Sequence, residues 1–99
     1  MVYYLYRTSD SSPVVFEFDE DKSSANKAKH GVDFIEAQAL WSDSRGTEIA
    51  ARSGAEVRRI GVGRIDDKMW SAVIVYRSER VRLISVRRSR SEEVADYEG

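Results

Sequence analysis

Apolar positions along this chain recur first with a helical and then with an alternating spacing, and the change falls near Gly46. Val14 to Phe18 (VVFEF) is β-prone, and the Asp19 that follows predicts the N-cap of a helix running to His30, with Glu20 and Asp21 in the first turn where the helix dipole favours anions. Gly31 ends that helix: Lys27, Lys29 and His30 put cations in the last turn, and glycine readily takes the left-handed conformation of a helix C-terminus. Asp33 and Glu36 then have capping-box spacing, Val32 stands at the staple position, and Phe34, Ala37, Leu40 and Trp41 fall on one side, which predicts a second, short amphipathic helix. The polar run at 42–46 (SDSRG) breaks it.

Four β-like segments follow, Glu48 to Arg52, Val57 to Ile65, Met69 to Arg77 and Val81 to Arg88, separated by turn signals at 53–55, 66–68 and 78–80. Connections so short imply antiparallel meander pairing. Residues 91–98 (SEEVADYE) read as a terminal helix with Ser91 as N-cap. The element order is β, α, α, β, β, β, β, α, and the expected fold is α+β: N-terminal helices packed on one face of a twisted antiparallel sheet, with a short C-terminal helix. Residues 1–13 are read as an N-terminal arm or extra edge strand and 14–99 as a single domain; the first stretch, MVYYLYR, fits an edge strand or an unpaired arm.

Length and composition narrow the function classes. Ninety-nine residues suffice for one domain with two packed layers, 41% are hydrophobic and 33% charged, and no apolar run approaches the roughly 20 residues that span a bilayer. The N-terminus lacks the pattern of a signal peptide and cysteine is absent, so a cytoplasmic location is expected, and disulfides, zinc–thiolate sites and thiol nucleophiles are excluded. A single histidine excludes multi-histidine metal sites; no cofactor is expected, although carboxylates alone could hold magnesium. Charge then changes the picture. Residues 1–50 carry five Lys or Arg against nine Asp or Glu, and residues 51–99 eleven against eight, so a net charge of −1 conceals a basic second half. Arginine forks match phosphate oxygens, which makes such a patch a candidate grip on nucleic acid; the plain alternative is a solvated, ion-paired sheet face.

Four groups could carry chemistry. Lys29 and His30 at the first helix end offer a proton carrier and a cation, or simply cap the helix. Arg58, Arg59, Arg64, Arg82, Arg87 and Arg88 are the arginine set: Arg58 and Arg64 share one parity, as do Arg80, Arg82 and Arg88, so adjacent strands would align guanidinium groups, with Arg87 on the opposite parity. Glu17 and Asp19 are paired acids that could act as a base or metal ligands, although on a strand running into a helix cap they read as structural, and Tyr97 is a phenol that either orients substrate or finds a local partner.

Taken together, FEFDEDK, Asn26 followed by KHGVDFIEA, EVRRIGVG and the closing VRLISVRRSRSEEVADYE resemble the BrnT family of bacterial toxins, over Phe16 to Glu98. The resemblance implies a RelE-like ribonuclease fold, cleavage of RNA that halts translation, and neutralisation by a DNA-binding, BrnA-like antitoxin in a hetero-oligomer. It places the family's KHG on Lys29, His30 and Gly31, its sheet arginine on Arg58 and its ISxR arginine on Arg87, and matches Arg82, Glu93 and Tyr97. Phe18 departs from a common tryptophan, Val86 and Ser89 from alanine, and the arm is longer than typical. The expected activity is therefore a metal-independent endoribonuclease in which the RNA 2′-hydroxyl attacks its own phosphate, with Lys29, His30, Arg58 and Arg87 catalytic and Arg64, Arg82, Arg88 and Tyr97 on neighbouring phosphates. The alternative is a module whose basic sheet face binds nucleic acid or a partner without turnover.

Overall fold

The structure, a computed structural model, describes residues 2–7, 13–51 and 57–99, with Tyr6 and Arg7 as backbone only. Strand β1 (Val2–Arg7) is antiparallel to β2 (Pro13–Phe18), which leads into α1 (Glu20–His30). Asp19 caps α1 as its position predicts, its Oδ1 accepting from the N–H groups of Asp21 at 2.9 Å and Lys22 at 3.1 Å, and Gly31 closes the other end at φ 94° with its N–H on the Lys27 carbonyl. The first segment of the chain is thus an edge strand; the link at 8–12 and the expected turn at 53–55, with Arg52, lie outside the described residues.

The second predicted helix exists as a 3-10 helix (Glu36–Ser42) rather than an α-helix. Its capping box forms: Asp33 Oδ1 accepts from Ile35 and Glu36 N–H, and Glu36 Oε1 accepts from Asp33 N–H at 3.0 Å. The difference has a source in the spacing itself. Phe34, Ala37 and Leu40 are three apart, the period of a 3-10 helix, which stacks them in line against the sheet.

Strands β3 (Thr47–Ala51), β4 (Arg58–Ile65), β5 (Lys68–Arg77) and β6 (Arg80–Arg88) form the meander that the short turns predict, and α2 (Ser91–Glu98) ends the chain. The N-cap of α2 is Arg90, not Ser91, because Glu93 reaches back to the Arg90 N–H at 2.8 Å. The sheet order is β1-β2-β6-β5-β4-β3, antiparallel except for β2 and β6, which run parallel. Among the described residues no helix is long and apolar enough to cross a membrane.

Side-chain alternation gives the sheet two unlike faces. One face presents Phe16, Phe18, Trp70, Ala72, Ile74, Val81, Leu83 and Val86 to Phe34, Ala37 and Leu40, and this is the core. Glycine at 63 lets the 3-10 helix lie directly on β4: a Cβ there would stand 3.0 Å from a Leu40 methyl. Helix α1 is fastened to the sheet by Asn26, whose amide nitrogen donates to the Val32 and Val86 carbonyls and whose oxygen accepts from the Val86 N–H, all within 3.0 Å. Tyr4 of β1 stacks on Phe18 with ring centroids 5.3 Å apart.

Candidate nucleic-acid interface

The other face holds most of the arginines of β4, β5 and β6, through a detail that alternation alone misplaces. Val73 pairs with Ser85 but Ile74 pairs with Leu83, so Ile84 is an extra residue in β6, a β-bulge. The bulge reverses the side-chain parity beyond it, so Arg87 shares a face with Arg82 across an odd separation, and Arg88 turns to the helix-covered face. There its guanidinium lies 5.6 Å from the Trp70 ring centroid and its Nε donates to the Met69 carbonyl, so Arg88 is not part of the arginine face. The expected row across adjacent strands is also corrected: β5 separates β4 from β6, and Val75, not a second cation, stands between Arg58 and Arg82.

Glu17 of β2, 3% exposed, organises one part of this face. Arg80 Nε lies 3.0 Å from its Oε1 and Arg82 Nη1 3.3 Å from its Oε2, so one buried carboxylate steers two guanidinium groups and neutralises only one charge. Across the face on β4, the buried Nε of Arg58 has no hydrogen-bond partner among the described residues, an uncommon state for a charged donor. The Arg80 Nε also lacks hydrogen-bond geometry, but it lies within ion-pair distance of Glu17, whereas no carboxylate of the described residues pairs with Arg58.

At the α2 end the structure adds a network. Arg87 grips Glu93 with two parallel hydrogen bonds of 2.8 Å, and Glu93 also accepts from Ser71 Oγ at 2.9 Å and the Arg90 N–H. Its hydrogen bonds from Arg87, with those from Arg90 and Ser71, prevail over burial and push the Glu93 carboxyl down to about 2; the same pairing raises Arg87. Arg87 is therefore held in one rotamer by an internal anion.

The remaining expected site residues are spread out. Tyr97 Oη donates to Asp43 Oδ2 at 2.7 Å, the local-partner outcome for a tyrosine, and this bond raises its hydroxyl. Burial opposes ionisation of Asp43, yet the Arg45 N–H, the Tyr97 hydroxyl and the Arg64 N–H outweigh it and hold its carboxyl low. Arg64 is exposed beside this cluster, on the same face as Arg58. Lys29 is exposed and His30 half-buried at the end of α1, and no hydrogen bond or ion pair among the described residues joins either to Arg58, Arg82 or Arg87. They belong to a helix on the covered face, attached through Asn26 beside Val86, the neighbour of Arg87. Glu17 as an arginine clamp and Asp43 as a hydrogen-bond hub escaped the sequence reading, which named Arg80 only for sharing the parity of Arg82. For Glu17 the signal was present: it alternates with Phe16 and Phe18 and so had to face the arginine side.

One sheet face of this small α+β domain is covered by α1 and the 3-10 helix, while the other bears the clustered arginines and is partly covered by α2 through Glu93, and clustered guanidinium groups are suited to pairing with phosphates. The family model for BrnT, the ribonuclease toxin of type II toxin–antitoxin systems, matches residues 18–93, and the chain belongs to that family. No curated protein matches it.

Proposed function

We propose that this protein is a metal-independent endoribonuclease that cuts RNA in the cytoplasm, halts translation, and is silenced by a DNA-binding antitoxin. The observation that carries the reading is the unpartnered, buried Nε of Arg58 on the same face as Arg82 and Arg87. A donor without a partner in a cationic setting is complementary to an oxyanion, and its cost is relieved when one arrives. The 2′-hydroxyl of RNA attacks the adjacent phosphorus, the 5′-oxygen leaves, and a cyclic phosphate forms. Arg58 stabilises the charge gathering on the phosphorane, while Arg82, already oriented by Glu17, and Arg64 hold flanking phosphates. Arg87, pinned by Glu93, offers its remaining N–H groups as a fixed donor edge. Lys29 and His30 serve proton transfer in this reading, with the RNA passing round the end of β6 where α1 is attached. The antitoxin acts by laying an acidic segment over the arginine face.

Cleavage of a labelled RNA in the presence of EDTA tests it. Arg58→Ala is expected to cut at least about 100-fold more slowly, the loss typical for one charge-stabilising donor. His30→Ala separates a proton carrier from a helix cap, since general acid–base help is worth about 10² to 10⁴ in rate. Full activity in both variants would overturn the assignment. The second reading, binding without turnover, is favoured by the internal neutralisation of Arg87, and salt-sensitive binding with intact RNA would establish it.

A further inference from the structure

Strand β1 precedes the residues matched by the family model, and its outer side is not explained by the core. Val2 and Tyr4 face inward, whereas Tyr3 and Leu5 face out on the arginine side, 55% and 64% exposed. The register connects Tyr3 to the site. Tyr3 lies opposite Glu17, Glu17 opposite Arg82 and Arg82 opposite Val75, while the pairing of Arg59 with Ile74 sets Arg58 beside Val75. One row therefore crosses five strands from an exposed aromatic ring to the unpartnered arginine, about 19 Å at the usual strand spacing. The ring is also held: the Arg80 guanidinium sits 5.0 Å from its centroid, and Arg80 is in turn bound to Glu17. A held ring with one side on a cation and the other open is a stacking platform.

We infer that Tyr3 is the far end of a single-stranded RNA track, an aromatic step on which one unpaired base stacks while Arg80, Arg82 and Arg58 follow the phosphates toward the cut. This rests on the nuclease reading above and adds a positioning element that β1 supplies. The chemistry favours single-stranded nucleic acid over a peptide. Every base has a π-face for the ring, and Arg82 and Arg58 stand two strands apart in the row, with Arg80 two residues before Arg82 and Glu17 satisfied by both, which gives a charged backbone successive cations to follow. The span suits the roughly 4 to 16 nucleotides that a small sheet-based domain covers.

The test is binding of a fluorescent, 2′-O-methylated oligonucleotide of about eight residues, a length within that range, to the full chain; methylation removes the nucleophile so that binding is read alone. Tyr3→Ala is expected to raise Kd roughly 5- to 150-fold, the cost of losing one base–ring stack, while Tyr3→Phe and Leu5→Ala bind as the unaltered protein does. An abasic nucleotide at the stacked position should weaken the unaltered protein but not Tyr3→Ala. The track is overturned by an unchanged Kd in Tyr3→Ala, by Tyr3→Phe failing as badly, or by Leu5→Ala losing as much, which would mark a general apolar contact. Binding that Arg58→Ala weakens and Tyr3→Ala does not would sink the track alone. An unaltered protein that binds no oligonucleotide would sink the nuclease reading with it.

Discussion

Single residues decide how closely the layers approach and where charge is left over. Gly61 and Gly63 occupy the same face of β4, but a Cβ at Gly61 would meet the Trp41 ring at 3.7 Å, ordinary contact, whereas at Gly63 it would meet Leu40 at 3.0 Å. Gly61→Ala is thus expected to be neutral or slightly stabilising in urea unfolding, since strand glycine is entropically costly, and Gly63→Ala to destabilise by about 1–3 kcal/mol through overpacking. At Arg58 the balance differs, because its guanidinium Nε makes no hydrogen bond among the described residues. Arg58→Ala should leave the melting temperature close to that of the unaltered protein while removing activity, so the two readouts part company. Asn26 was visible in the sequence only as a member of a motif. That it ties a helix to Val86, sixty residues away, follows from folding and not from any local pattern.

Among the elements, α2 is the clearest case of structure held by charge. Glu93, 5% exposed, receives Arg87, Ser71 and the Arg90 backbone, so the helix start, β5 and β6 meet at one carboxylate. Its folded pKa of about 2 lies below that of an ordinary glutamate, so its stabilisation is present in full above about pH 5 and is lost as pH falls toward 2. Glu93→Gln should therefore cost roughly 3 kcal/mol near neutrality, the scale for breaking a buried pair, and the gap between variant and unaltered protein should close on acidification. Urea titrations at a series of pH values measure it; a gap that stays constant would mean that the pair is not the cause. At this scale the helix limits and strand limits were legible, because caps, turn residues and periodicity are local. The 3-10 character of Glu36–Ser42 was legible too in the interval of three, but two periods so close are hard to separate over seven residues.

For the molecule as a whole, the N-terminal strand both closes the core and widens the outer sheet face with Tyr3 and Leu5. Val2 and Tyr4 cover the inner side of β2, so deleting residues 1–12 is expected to lower stability by about 3 kcal/mol or more, from the apolar surface returned to water, and to drop the melting temperature by roughly 10 °C or more. A truncated chain that melts with the full one would show β1 to be an appendage. The sequence by itself determined the α+β class, the meander, the end of α1 and the concentration of arginines in the second half, since each depends on neighbours within a few positions. Tertiary structure decided which arginines act together: the insertion of β5 between β4 and β6, the bulge at Ile84 that brings Arg87 round to Arg82 and sends Arg88 to Trp70, and the parallel docking of β2 that sets Glu17 among them. Those outcomes turn on strand order and on a one-residue shift in register, and a shift of one residue exchanges the faces of a strand without altering its composition or its local propensity.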